Sequence, residues 1–382
     1  MSKLHWQITG PATAPVLVLL NSLGTSSAMW RYQLGPLSEQ FRVVEIDARG
    51  HGRSAAPAPG TADLADLAGD VLAALDELAA QHGAHRVHLA GLSLGGMVAM
   101  WLAAHHPERV GRLALLCTAA HLSQGQAYLD RAATVRRDGT AAIAQATVER
   151  WITPGLADRD PALRQWLVEL VSSVNDEGYA QCAEAIATVD LREDLARISA
   201  ATLIIAGEQD PAMPPEHARA LAAGIAGSEL RVLSPAAHIA PLEASGAITE
   251  LLLNHFGAPR SLAVGEQTRR AVLGDAHVDR AVDQLTDFNR PFQEFITRYA
   301  WGDVWSRPGL AGRERSIATL AALTALGTEH ELGMHVLAAH RNGLSADEIR
   351  EVLLHTAIYA GVPRANRAFV IAGEVLRAVE PS

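Results

Sequence analysis

From the amino end, short runs of apolar and β-branched residues alternate with longer stretches whose apolar positions recur every three or four residues. The short runs are "APVLVLLNSLG", "FRVVEIDARGHG", "HRVHLAGLSLGG", "VGRLALLCTAA" and "ATLIIAGEQD", each bounded by Gly, Asp or Asn. Near-continuous apolar runs suit strands buried on both faces, whereas "ADLAGDVLAALDELAAQ" carries its apolar residues at helical spacing. Strands alternating with helices predict a doubly wound, mostly parallel sheet. The alternation lapses from about Leu122 to Leu195, where "YLDRAATVRRDGTAAIAQATVERWI" and "DPALRQWLVELVSSV" are helical with no strand between them. That stretch is expected to form a helical cap before the sheet resumes at Leu203.

Beyond "LLLNHFGAPRSLAVGE" the strand pattern stops. The segments "EQTRRAVLGDAHVDRAVDQ", "PFQEFITRYAWGDVW", "GRERSIATLAALTALG", "HELGMHVLAAHRNG", "SADEIREVLLHTAIYAG" and "PRANRAFVIAGEVLRAV" all carry helical spacing. The expectation is an α/β domain over 1–256, a linker over 257–266 and an all-helical domain over 267–382.

Composition supports two cores: 49% of the 382 residues are hydrophobic and 19% charged. Thirty-two basic against 42 acidic residues leave a net charge of −10, and no long basic run occurs. Nucleic acid and anionic membranes are therefore poor partners, and a small soluble ligand is the better expectation. Two cysteines, Cys117 and Cys182, make no disulfide framework and lack metal-ligand spacing, as in a reduced cytoplasmic protein without a metal. The start "MSKLHWQITG" has no signal-peptide core, and "VLVLL" is far too short to span a bilayer.

The candidate chemistry begins at "GLSLG", a G-x-S-x-G pattern that chance alone supplies often. Ser93 is either a nucleophile or a small residue in a turn. The motif follows the strand-like "HRVHLA" and opens the helical "GGMVAMWLAAHH", the setting that lifts a serine hydroxyl to the top of a sheet. Asp210 in "IAGEQDPAMPP" lies just past a strand, and His238 lies in "LSPAAHIAPLEASGAI". Together they offer a base and its orienter, in the order Ser, Asp, His. The oxyanion donors expected are the N–H of Leu94 and a second from the loop "LLNSLGTSSAMW", where Leu23 is the candidate. Asp47 in "DARGHGRS" is a competing acid, although its place ahead of the nucleophile favours a turn role.

These ordered motifs resemble the α/β-hydrolase superfamily over roughly the first 256 residues. Within it, "NSLGTSSAMW", "DARGHGRS" and "GLSLGG" resemble the 3-oxoadipate enol-lactonases. Asn21-Ser22-Leu23-Gly24 stands where many relatives carry His-Gly-x-Gly. Carboxylate-binding candidates in the cap are Trp151 with Arg131 or Arg136.

In the second domain Glu331 and His335 lie one turn apart, as do Glu351, His355 and Tyr359 on the next predicted helix. Spacing alone suits an interface as well as a pocket. From about Glu266 onward the chain resembles the 4-carboxymuconolactone decarboxylases, relatives of the alkylhydroperoxidase D-like (AhpD-like) proteins. Thr328 and Glu331 occupy the positions of the Cys-x-x-Cys found in the peroxidase relatives, so thiol redox chemistry is not expected. The resemblance implies decarboxylation of a lactone that serves as its own electron sink, with no cofactor. His335 would be the general acid, Glu331 would orient it or set its protonation, and Arg315 and His355 would meet the substrate. The two resemblances imply consecutive steps of protocatechuate breakdown on one chain acting on small-molecule lactones, with self-assembly through the helical domain. The competing reading is a general esterase or perhydrolase with a non-catalytic helical oligomerisation domain.

Overall fold

The computed structural model describes residues 2–257, 262–307 and 309–379. The chain divides into two compact units, Met1–Gly257 and Ala258–Ser382.

In the first unit seven strands form one sheet: β1 (Trp6–Thr9), β2 (Val16–Leu20), β3 (Arg42–Ile46), β4 (Val87–Leu92), β5 (Val110–Leu116), β6 (Ala201–Gly207) and β7 (Glu229–Leu233). Their spatial order is β1-β3-β2-β4-β5-β6-β7, and every pairing is parallel except β1 with β3. Successive residues of a strand face opposite sides, so Val18 and Leu20 enter one core while Leu17 and Leu19 enter the other. That double burial is why the central strands read as unbroken apolar runs. The edge strands β1 and β7 escape that pattern: β1 has only four residues, and β7 exposes Glu229, Arg231 and Val232.

The cap consists of five helices between β5 and β6: Gly125–Asp138, Ala141–Glu149, Pro154–Arg159, Pro161–Ser172 and Asp176–Thr188. The last is fastened to the loop after β3 by backbone contact. Gly50 has φ +65°, and a Cβ there would lie 2.7 Å from Gly178 Cα. Beside it, Arg49 pairs with Asp70 at 2.7 Å and donates to Gln181 Oε1 at 2.9 Å, all three side chains buried.

The second unit is helical among its described residues. Helices Leu262–Leu273, Asp275–Asp283 and Arg290–Ile296 lead into a π-helical stretch, Thr297–Trp305. Four longer helices follow: Gly312–Leu326, Glu329–Arg341, Ala346–Ala360 and Val362–Val379. Their core gathers Leu320, Leu332, Val336, Leu344, Ile349 and Leu353. Two expectations need correction. Gly274, at φ +84°, breaks "EQTRRAVLGDAHVDRAVDQ" into two helices. Of the expected linker, residues 258–261 lie outside the described residues, and Leu262–Glu266 is already helix.

The two units differ in what they show to water. Among the described residues the first exposes three large apolar side chains, Tyr32, Leu129 and Val232, whereas the second exposes sixteen. On the helix Ala346–Ala360, Ile358 is 81% and Tyr359 79% exposed. No helix among the described residues is long and apolar enough to cross a membrane.

Candidate active site

Ser93 joins the end of β4 to the helix Leu94–His105 with φ +54°, a strained conformation for a residue with a side chain. The surroundings hold it there. Its N–H donates to Leu116 O at 2.9 Å, and its carbonyl accepts from Thr118 Oγ1 at 2.7 Å. The turn closes only because its flanks are glycine: a Cβ on Gly91 would strike Gly95 O, and one on Gly95 would lie 2.5 Å from Leu20 O.

Asp210 follows β6, and its Oδ2 lies 2.8 Å from His238 Nδ1. Its Oδ1 accepts from the N–H groups of Ala212 and Met213, at 2.8 and 2.9 Å. Burial alone would raise the carboxyl pKa, but the imidazole's charge, its hydrogen bond and the two amides outweigh it and hold the pKa below the ordinary value. With Nδ1 engaged, the other ring nitrogen of His238 remains for chemistry, and His238 and Ser93 line one cleft. The histidine loop is tied to the cap on both sides. Ile239 N–H donates to Trp151 O at 3.0 Å, and Ala237 N–H donates to Glu243 Oε2 at 2.9 Å. Glu243 Oε1 in turn accepts from the N–H and hydroxyl of Thr153.

Leu94 opens its helix, so its N–H has no acceptor within that helix and is available beside Ser93. The loop after β2 is braced by two residues that sequence reasoning passed over. Asn21 Nδ2 donates to the carbonyls of Ser22 and Thr25, both at 2.9 Å, and its Oδ1 accepts from Ala48 N–H. His51 Nε2 lies 3.0 Å from Gly24 N, and its Nδ1 lies 2.8 Å from Arg49 O. An amide can only donate and a carbonyl only accept, so His51 carries its proton on Nδ1. Full burial lowers its pKa to about 4. Asp47, the competing acid, accepts from the N–H groups of Ser27 and Arg53, at 2.7 and 3.0 Å, and so ties the loop after β3 to the segment after β2.

The cleft over Ser93 measures about 940 Å³. Leu23 and Trp151 line it, the Trp151 ring 6.4 Å from that of His238. Arg131 also lines it, its guanidinium 5.0 Å over the Tyr128 ring, and so does Arg150, which sequence reasoning missed although it adjoins Trp151. Neither Arg131 nor Arg150 forms an ion pair among the described residues. Arg136 does not share this position: Glu177 at 2.9 Å, Glu184 and the Gly60 carbonyl hold it away from the cleft.

In the helical unit His335 is half-buried against two indoles. Its ring lies 6.5 Å from Trp301 and 6.4 Å from Trp305, near parallel to both. Burial lowers its pKa, the nearby His277 lowers it further, and Glu331 opposes both. Glu331 thus acts on His335 through its charge; no hydrogen bond joins them among the described residues. The structure does not bring Arg315 or His355 to this imidazole. Arg315 donates to the carbonyls of Leu310 and Arg307, at 3.1 and 2.8 Å, and so closes the loop ahead of its helix. His355 is exposed, its ring 5.2 Å from that of Tyr359. Trp301, Trp305 and His277 were not foreseen, although the four-residue spacing in "WGDVW" is a helical-face signal.

Residues 15–245 match the family described as alpha/beta hydrolase fold, and residues 290–374 match the Carboxymuconolactone decarboxylase family. The chain is 38% identical over 240 residues to 3-oxoadipate enol-lactonase 2 of Acinetobacter baylyi, covering 63% of this chain and 88% of that protein. It is 50% identical over 113 residues to the 4-carboxymuconolactone decarboxylase of the same organism, covering 30% of this chain and 84% of that one. The crystal structure of the enol-lactonase from Burkholderia xenovorans superposes with a TM-score of 0.64 at 37% identity, covering 67% of this chain and 96% of that one. The chain belongs to the α/β-hydrolase fold family in its first unit and to the carboxymuconolactone decarboxylase family in its second.

Proposed function

We propose that the protein is a bifunctional enzyme that decarboxylates 4-carboxymuconolactone in its helical unit and hydrolyses the resulting 3-oxoadipate enol-lactone in its hydrolase unit. The observation that carries this reading is the union, on one chain, of relatives named for two activities of which the first makes what the second consumes.

In the hydrolase step Ser93 Oγ attacks the lactone carbonyl while His238 takes its proton and Asp210 holds the imidazole. The ring C–O bond breaks, His238 returns the proton, and the enol released becomes the ketone of 3-oxoadipate once water has cleaved the acyl-serine. The N–H groups of Leu94 and Leu23 stabilise the oxyanion. Arg131 and Arg150, charged and without carboxylate partners beside the nucleophile, take the substrate carboxylate, with Trp151 as an apolar wall.

In the decarboxylation the C–CO₂ bond electrons move through the ring double bond onto the lactone carbonyl, and a proton is returned to the ring carbon. His335 is the proton donor, in an aromatic slot that suits a flat ring. The sixteen exposed large apolar side chains of the second unit support self-assembly through that unit. Two buried free thiols, Cys117 and Cys182, suit the cytoplasm.

The test follows freshly made 4-carboxymuconolactone by NMR with wild-type protein and with Ser93→Ala. Wild type should yield 3-oxoadipate, and the variant should stop at the enol-lactone beyond its spontaneous hydrolysis. Starting lactone left untouched by both would overturn the decarboxylase assignment and leave a hydrolase carrying a helical assembly domain.

A further inference from the structure

The helical unit contains a cavity of about 650 Å³, framed by the helices Leu262–Leu273, Asp275–Asp283 and Arg290–Ile296. Its lining is apolar at Val278, Val282 and Leu285 and polar at Arg269, Arg290 and Gln293, with Glu266 and Glu294. Arg269 is only 8% exposed. Its Nη1 donates to Gln293 Oε1 at 3.1 Å and to Thr297 Oγ1 at 3.3 Å, but its Nε is buried with no acceptor. A buried guanidinium without an ion pair is unfavourable unless an anion comes to it.

The acidic residues on the cavity wall do not complete it. Glu266 pairs with Arg270 at 3.2 Å, and Glu294 pairs with Arg298 at 3.7 Å. Glu266 acts on Arg269 through its charge without pairing with it, and neither Arg269 nor Arg290 forms an ion pair among the described residues. A guanidinium presents its donors as a planar fork, the arrangement that fits the two oxygens of a carboxylate. We propose that this cavity is a carboxylate-binding subsite, with Arg269 as the buried fork and Arg290 as a second charge at its exposed mouth.

The charge of Arg269 also reaches an imidazole of the same unit. His277, on the helix Asp275–Asp283, feels the charge of Arg269 and is itself the neighbour whose charge acts on His335. The identity of the natural ligand, one carboxylate of the lactone, rests on the decarboxylase reading; the anion site does not.

The experiment is hydrogen–deuterium exchange on the full-length protein with and without glutarate, an unreactive dicarboxylate. Glutarate should slow exchange in peptides spanning residues 262–297. The concentration needed should rise at least tenfold in Arg269→Gln and severalfold in Arg290→Gln, with Arg290→Lys recovering most of the loss. Hydrolysis of 4-nitrophenyl acetate by the first unit should be unchanged in all three. Arg290 is exposed, so its variants test the site even if Arg269→Gln loosens the helices. No slowing in wild type, or equal slowing in wild type and both glutamine variants, would overturn the subsite. Carbon dioxide release measured on the same samples separates the two ideas. Protection by glutarate without decarboxylation keeps the subsite and removes the decarboxylase reading. Decarboxylation with KM unchanged in both glutamine variants keeps the decarboxylase reading and removes the lactone as the ligand of this subsite.

Discussion

His51 couples the oxyanion loop to acid stability, and the coupling can be worked through. The folded protein binds a proton on His51 only near pH 4, because the ring is fully buried and both nitrogens are committed, to Gly24 N–H and Arg49 O. The unfolded chain binds it near the ordinary histidine value of about 6.5. The unfolded state therefore holds more protons throughout that window, and stability falls as pH drops through it. Between about pH 7 and about pH 4.5 this one residue should remove about 2.5 kcal/mol of stability, taking 1.36 kcal/mol per pKa unit. His51→Gln can accept from Gly24 N–H and donate to Arg49 O without titrating, so it isolates the charge. Urea unfolding read by loss of hydrolase activity should show the variant losing about 2.5 kcal/mol less than wild type over the same pH interval. His51→Ala, which leaves Gly24 N–H without its acceptor, should lower kcat roughly tenfold or more at neutral pH with KM little moved. Equal pH dependence in wild type and His51→Gln would refute the assignment of the acid-labile charge to this ring.

Further outcomes follow from distances already given. Glu243→Gln turns one acceptor oxygen into a donor facing Ala237 N–H or Thr153, so it should cost about 1–3 kcal/mol in urea unfolding and lower kcat more than it raises KM. Gly95→Ala forces a methyl group against Leu20 O, and thermal melts should show a loss of about 1–3 kcal/mol with hydrolysis nearly abolished. Arg150→Gln should cut kcat/KM for the enol-lactone by roughly 10–100-fold, while 4-nitrophenyl acetate, which has no carboxylate, should be hydrolysed normally. A general acid works only in its protonated form, and burial lowers the pKa of His335, so decarboxylation should weaken roughly tenfold per unit as pH rises above that pKa. Glu331 supports the protonated form, so Glu331→Gln should move the profile to lower pH in a continuous assay of carbon dioxide release.

Central strands were legible because burial on both faces writes them as unbroken apolar runs. The edges β1 and β7 were not, because an edge strand beside solvent needs no such run. Ser93, Asp210 and His238 stand out in the sequence because each follows or adjoins a strand end, and the structure sets Asp210 beside His238 and brings His238 and Ser93 to one cleft. The bracing of the oxyanion loop does not stand out: whether His51 accepts from Gly24 N–H or merely packs depends on how two loops 27 residues apart fold together. Arginines were the least legible. Arg131, Arg136, Arg150 and Arg315 are alike in sequence, yet Arg131 and Arg150 face the cleft, Arg136 is held by two glutamates, and Arg315 closes a loop on carbonyls. In the helical unit the polar spacing of Glu351, His355 and Tyr359 marked a face open to solvent, whereas His335 went inward against Trp301 and Trp305.

The histidine loop is bonded to the cap through Trp151 O and through Glu243 to Thr153. On the proposed mechanism, the part of the protein that roofs the cleft is thus also the part that steadies the base. A lineage adapting to a different lactone would have to reshape this roof, and each change near residues 151–153 would shift proton transfer together with recognition. Such a chain is expected to diversify through substitutions deeper in the cap, on the helices Gly125–Asp138 and Asp176–Thr188, while the short stretch over the histidine stays as it is.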